Sequence, residues 1–137
     1  MRRLIATATL ATLLLLAPTA IGAKNGITPI SPKAGDSVPE GKRPTFKVKY
    51  SGPGPIWVHV CKSKKKDADG LICSEESIGK ARKTSSTRAS YKAKFFDFPE
   101  FWLNNPGTYY WQAHRISCEN GIDDCRLEGP TVRFKVK

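Results

Sequence analysis

The chain has 137 residues, 26% of them charged, and its 23 Lys and Arg outnumber 12 Asp and Glu for a formal net charge of +11. That length suits one domain. The single apolar run, at the N-terminus, is too short to build a protein of bilayer-spanning helices, which need ~20 apolar residues each.

Residues 1–23 read as a secretory signal peptide. Met1-Arg2-Arg3 is cationic, Leu4 to Ala17 is apolar, Pro18 breaks the run, and Ala20-Ile21-Gly22-Ala23 offers small residues for cleavage. A cut after Ala23 starts the exported protein at Lys24; Ala20 or Gly22 could also precede it. No Cys lies near the cut, so no lipid anchor is expected. Removal leaves 114 residues (137 less 23) at a net charge of +9 (+11 less Arg2 and Arg3). A chain of that size buries roughly two-thirds of its unfolded surface. Residues 24–137 are expected to form one domain, soluble, monomeric and extracellular, with no membrane span after cleavage. A cationic surface attracts polyanions, and Lys also provides solubility and guards strand edges.

Residues 24–44 hold Pro29, Pro32, Pro39 and Pro44 with Gly26, Gly35 and Gly41, which excludes a helix. This is an extended lead-in with a short edge strand around Gly35 to Val38. Thr45–Tyr50 alternates, with Phe46, Val48 and Tyr50 on one face. Residues 51–55, Ser-Gly-Pro-Gly-Pro, are a turn cluster. Ile56–Cys61 is the next strand: β-branched Ile56, Val58 and Val60 favour the inner face, leaving Trp57, His59 and Cys61 on the other. Residues 62–70 form a polar loop, 71–73 a short strand, and 78–82 a weak one. Residues 91–96 carry Tyr91, Ala93 and Phe95 in phase, and 97–103 read as one helical turn that tucks Phe101 or Leu103 under a sheet.

Asn105-Pro106-Gly107 is a turn that opens the most aromatic strand. There Tyr109, Trp111 and Ala113 share one face, and Tyr110, Gln112 and His114 the other, read as the outer one. Residues 119–124 are a loop. Residues 131–137 close the chain with Val132, Phe134 and Val136 inward and Arg133, Lys135 and Lys137 outward. Six or seven strands, turn signals between them and no helix-length periodicity argue for an all-β, two-sheet sandwich.

Four cysteines, Cys61, Cys73, Cys118 and Cys125, all fall in the exported part. An even count in an oxidising compartment reads as two disulfides, and neither local spacing fits a zinc knuckle.

Leu103, Pro106-Gly107-Thr108, then Tyr109-Tyr110-Trp111-Gln112-Ala113 resemble the penultimate strand of fibronectin type III domains. Residues 128–136, Glu-Gly-Pro-Thr-Val-Arg-Phe-Lys-Val, resemble the final strand of bacterial members. The resemblance implies an immunoglobulin-like, fibronectin type III-like sandwich of about seven strands. It makes Tyr109 the corner tyrosine whose hydroxyl bonds back to nearby backbone. After Ala113 the alternation slips, and a β-bulge would reconcile it. The implied topology puts Cys61 and Cys118 at opposite poles, beyond the ~7 Å Cα limit for bridging. It therefore pairs Cys61 with Cys73 and Cys118 with Cys125.

No Gly-x-Ser-x-Gly elbow and no leftover Cys support catalysis, and the only histidines are His59 and His114. Asp67-x-Asp69-Gly70 is a fragment of a calcium loop without the later ligands. It and the Glu119, Asp123 and Asp124 group read as turn formers. No metal, cofactor or catalytic set is expected. Lys62, Lys64, Lys65 and Lys66 lie between two cysteines, and Arg82 and Lys83, flanked by Lys80 and Arg88, mark a second basic stretch. No aromatic interleaves with them for base stacking, so specific nucleic-acid binding is not expected. The expected core is Phe46, Val48, Val58, Val60, Leu103, Tyr109, Trp111, Val132 and Phe134. The sequence supports a secreted binding or adhesion module of unknown ligand. The alternatives are a cationic effector or inhibitor contacting anionic envelope polymers or a partner protein, and a small hydrolase.

Overall fold

The computed structural model describes residues 21–73, 79–93, 105–117 and 126–137. Among them are nine strands and no helix. In chain order they are β1 (Ile27–Ser31), β2 (Ser37–Val38), β3 (Thr45–Tyr50), β4 (Ile56–Cys61), β5 (Gly79–Lys80), β6 (Arg82–Ser85), β7 (Arg88–Lys92), β8 (Gly107–Ile116) and β9 (Arg126–Val136). Seven of them have four residues or more.

Two sheets form, ordered β1-β3-β7-β6 and β2-β9-β8-β4-β5. Every long pairing is antiparallel; the exception is β2, which runs parallel to β9. The first sheet is the A-B-E-D set of an immunoglobulin-like sandwich and β4-β8-β9 its C-F-G set. The all-β, fibronectin type III-like two-sheet fold expected from the sequence is therefore present.

The core lies between the sheets where alternation placed it. Phe46, Val48 and Tyr50 of β3, Ile56, Val58 and Val60 of β4, Tyr109, Trp111 and Ala113 of β8, and Val132, Phe134 and Val136 of β9 are all buried. Aromatic rings meet at its centre: Phe46 lies 5.3 Å from Trp111 and 6.0 Å from Phe134, and Tyr109 lies 5.9 Å from Phe134. The Trp111 indole Nε1–H donates to the buried Pro32 carbonyl at 2.9 Å, tying the lead-in to the core. The Tyr109 hydroxyl donates to the Asn105 carbonyl at 3.0 Å, the corner bond the resemblance implied, and burial pushes its pKa up.

Several boundaries differ from the sequence reading. The lead-in contributes a full strand, β1, not only β2, and the chain changes sheets between them. β1 is an edge strand, so the missing N–H of Pro29 costs it little, and that proline hides it from a pattern search. The single weak strand expected at 78–82 is two, β5 and β6, in different sheets. β7 starts earlier, at Arg88, and β9 at Arg126. Residues 71–73 give an isolated bridge, Lys66 to Ile72, instead of a strand. The register slip expected after Ala113 is a bulge between Gln112 and His114. Gly54 shows why the turn before β4 needs glycine: its φ is +99°, and a Cβ there would meet the Ile116 carbonyl oxygen at 1.6 Å. The expected helical turn with Leu103, the Cys118–Cys125 bridge, the acidic group at 119–124 and most of the signal peptide lie outside the described residues.

Trp111→Phe preserves a ring but removes the donor to Pro32. Loss of one buried hydrogen bond and part of the ring should cost about 2–3 kcal/mol. Urea unfolding measures it; an unchanged midpoint would mean the indole bond does not hold the lead-in.

Candidate functional site

Alternation assigned Trp57, His59 and Cys61 of β4, with Gln112 and His114 of β8, to an outer face. The structure corrects the assumption that this face is open: His59, Cys61, Gln112 and His114 are all buried. What covers them is the segment 62–73. Cys61 is disulfide-bonded to Cys73, with Cα atoms 6.2 Å apart, so the segment leaves β4 and returns to its end. Leu71 and Ile72, the apolar residues before Cys73, are fully buried against the sheet.

Gln112 fastens the middle of that segment. Its Oε1 accepts from the Ile72 amide at 3.0 Å, and its Nε2 donates to the Gly70 carbonyl at 3.1 Å and the Gly129 carbonyl at 2.9 Å. One side chain thereby joins β8, β9 and the covering segment. The β8–β9 register shifts directly after it, between Gln112 and His114.

His59 and His114 lie next to it, His59 Nε2 and His114 Nδ1 being 2.7 Å apart and His59 Nδ1 3.2 Å from the Cys73 carbonyl. A carbonyl only accepts, so His59 carries a proton on Nδ1, and one proton lies between His59 Nε2 and His114 Nδ1. This assignment follows from the network. Burial, then His59, then Arg126 disfavour the imidazolium of His114 and push its pKa down to about 4. His114 is therefore neutral at neutral pH, and its contact with His59 bridges β8 to β4.

Arg115 donates from Nη1 to the Pro53 carbonyl at 3.0 Å, bracing the turn before β4. Asp67 accepts the Asp69 and Leu71 amides on Oδ1, both at 2.9 Å, which makes it a turn former. Asp69 faces Arg126 at 3.9 Å. Glu128 binds the Lys24 ammonium. Partial burial opposes its charge, but the Lys24 bond and the nearby Lys66 outweigh that and hold its pKa below the usual value. Among the described residues no three His, Cys, Asp or Glu side chains gather to hold a metal.

The basic residues singled out from the sequence do not form one patch. Lys62, Lys64, Lys65 and Lys66 ride on the covering segment, with the Lys66 charge helping to lower the pKa of Glu128. Arg82 and Lys83 belong to the other sheet, on edge strand β6. Two of the six cap core rings: Lys62 Nζ stands 5.9 Å from the Tyr109 centroid and Lys83 Nζ 5.7 Å from that of Tyr50. Sequence reasoning missed Gln112 as a structural hub. The signal was there: a polar residue inside an aromatic run, beside an alternation slip.

No family model and no curated protein matches the sequence. Among solved structures, the fibronectin(III)-like modules of Clostridium thermocellum CbhA are similar at 18% identity and a TM-score of 0.45. The match covers 81% of this chain and 45% of that one, so this chain spans less than half its length.

Gln112→Glu keeps the shape, but an ionised carboxylate accepts from Ile72 and cannot donate to two carbonyls. It should cost about 2–4 kcal/mol and loosen the segment, so that trypsin cleaves faster after the already exposed Lys64 and Lys65 at native conditions; cleavage no faster than in the parent would contradict the hub role.

The histidine pair predicts a pH dependence. His114 faces His59 from β4 and Arg126 and Glu128 from β9. Its folded pKa of about 4 lies below the unfolded 6.5, so between these values the unfolded chain binds the extra proton. Stability is complete above pH 6.5 and falls as pH drops toward 4, by on the order of 3 kcal/mol. Denaturant unfolding between pH 7 and 5, above the carboxylate range, should show the decline, and His114→Gln should flatten it. Equal slopes in both would contradict the assignment.

Proposed function

We propose that this chain is a secreted, single-domain β-sandwich that acts as an extracellular binding or adhesion module, exported by residues 1–23. One observation carries the non-catalytic part of this reading. The buried polar side chains His59, Gln112, His114 and Arg115 are spent on the scaffold, bonded to one another or to backbone carbonyls and amides. A buried histidine pair sealed under a disulfide-closed segment is poorly placed to move protons for a substrate. Export is supported by the cationic, apolar and small-residue order of residues 1–23, and agrees with the Cys61–Cys73 bridge, which suits an oxidising compartment.

A second reading, a cationic effector or inhibitor acting on anionic envelope polymers or a partner protein, draws on the covering segment. Lys64 and Lys65 are exposed on a loop whose base is stapled, and a fixed base presents charge at lower entropic cost.

A panel of esterase and glycosidase substrates tests the first reading: no turnover is expected, and turnover abolished by His114→Gln would overturn it. Salt-dependent retention on a polyanion column tests the second. Retention lost when Lys64, Lys65 and Lys66 become Ser supports it; unchanged retention removes its basis.

A further inference from the structure

We propose that the outer face of the β1-β3-β7-β6 sheet is the docking surface of this module, and that its occupant is a linear anionic polysaccharide. The inference rests on the binding-module reading and names its ligand class.

The register brings five cations to that face. Lys47 and Lys49 of β3 alternate with buried Phe46, Val48 and Tyr50, and are exposed. Arg88 and Lys92 of β7 are exposed on the same side, as is Arg82 of β6, which stands opposite Ser90, itself opposite Lys47. Successive outward residues on a strand are about 7 Å apart and neighbouring strands about 5 Å. The five charges therefore occupy a field of about 14 by 10 Å, with Ser90, Thr45 and Thr28 between them as hydroxyl donors and acceptors.

The general uses of surface lysine do not account for this field. Lysines that guard an edge belong on edge strands, but β3 and β7 are the two inner strands of this sheet. Solubility is served by mixed signs, yet no strand of this sheet carries an acid. The described side-chain carboxylates, those of Asp36, Glu40, Asp67, Asp69 and Glu128, all belong to residues that lie with the other sheet: the Asp36 backbone is bonded to Lys135 of β9 and that of Glu40 to Lys137 just past its end, Asp67 and Asp69 sit on its cover, and Glu128 is in β9. Lys49 and Arg88 are also directly opposed across an antiparallel pair. Like charges there destabilise the sheet, a cost that an anionic ligand removes.

The shape selects the polymer. The three aromatics of these strands, Phe46, Tyr50 and Tyr91, point inward, so the face has no platform for unstacked bases. A face four strands wide does not enter a duplex groove, which admits a helix or a two-stranded ribbon. An extended glycan bearing sulfate, carboxylate or phosphate at repeated positions lies along such a surface and finds hydroxyl partners as well as charge.

The test compares two variants of equal net charge, Lys49→Thr with Arg88→Thr on the sheet, and Lys64→Thr with Lys65→Thr on the covering segment. The probe is dextran sulfate, titrated at several salt concentrations. The sheet variant should bind at least tenfold more weakly, with a salt slope shallower by about one to two, and melt no lower than the parent. The segment variant should bind within twofold of the parent. Should the sheet variant lose stability, Lys47→Thr with Lys92→Thr, which are not opposed, must give the same loss. Equal loss in sheet and segment variants overturns the assigned face but leaves a polyanion-binding module. Unaltered binding by both sheet variants, or tighter binding of a single-stranded oligonucleotide than of dextran sulfate at equal salt, overturns the proposal outright.

Discussion

The architecture depends on the Gln112 side chain, because β8 is buried on both faces and only one of them is covered by a sheet. Inward, Tyr109 and Trp111 pack under Phe46 and Phe134. Outward, the cover is an irregular segment of about a dozen residues that has one isolated bridge and little regular pairing of its own. The disulfide fixes only its ends. A loop of that length confers about 3 kcal/mol by closure, but closure alone does not decide where the middle lies. Gln112 decides that, since three of its hydrogen bonds go to backbone groups of the segment and of β9. Each contributes about 1 kcal/mol when made and costs up to about 3 when a buried partner is stranded.

The same geometry separates scaffold from surface. Burying one face of β4 and β8 under residues 62–73 removes both histidines and Gln112 from any ligand. Two of the six basic residues first considered for polyanion contact stand over core rings. Among the described residues nothing covers the outer face of the other sheet, and its inner strands carry lysine and arginine where sheet stability would prefer neutral or paired residues. Proteins hold residues that oppose local stability mainly at functional surfaces.

Much of the sandwich was legible because its strands alternate cleanly. β3 and β4 were read to the residue, and so was the inner face of β8. The bulge after Gln112 was legible as a slip in that alternation. What escaped had physical reasons. β1 was hidden by Pro29, which an edge strand tolerates. β5 and β6 are too short and polar to carry a period. The cover over β8 was missed because two apolar residues, Leu71 and Ile72, suffice to seal a face whose own residues are polar and satisfied by hydrogen bonds. Polarity was read as exposure; here it marks a buried junction. The cationic field was invisible until the register set Lys49 beside Arg88, residues distant in sequence.

The most direct measurement of this account is native-state amide hydrogen exchange at Ile72, whose N–H is donated to Gln112. If the segment is an integral second layer, that amide exchanges only through global unfolding, with the protection of Trp111 in the middle of β8. An Ile72 amide that exchanges in seconds, like a solvated loop, would show the face of β8 to be open and would contradict the division into scaffold and surface.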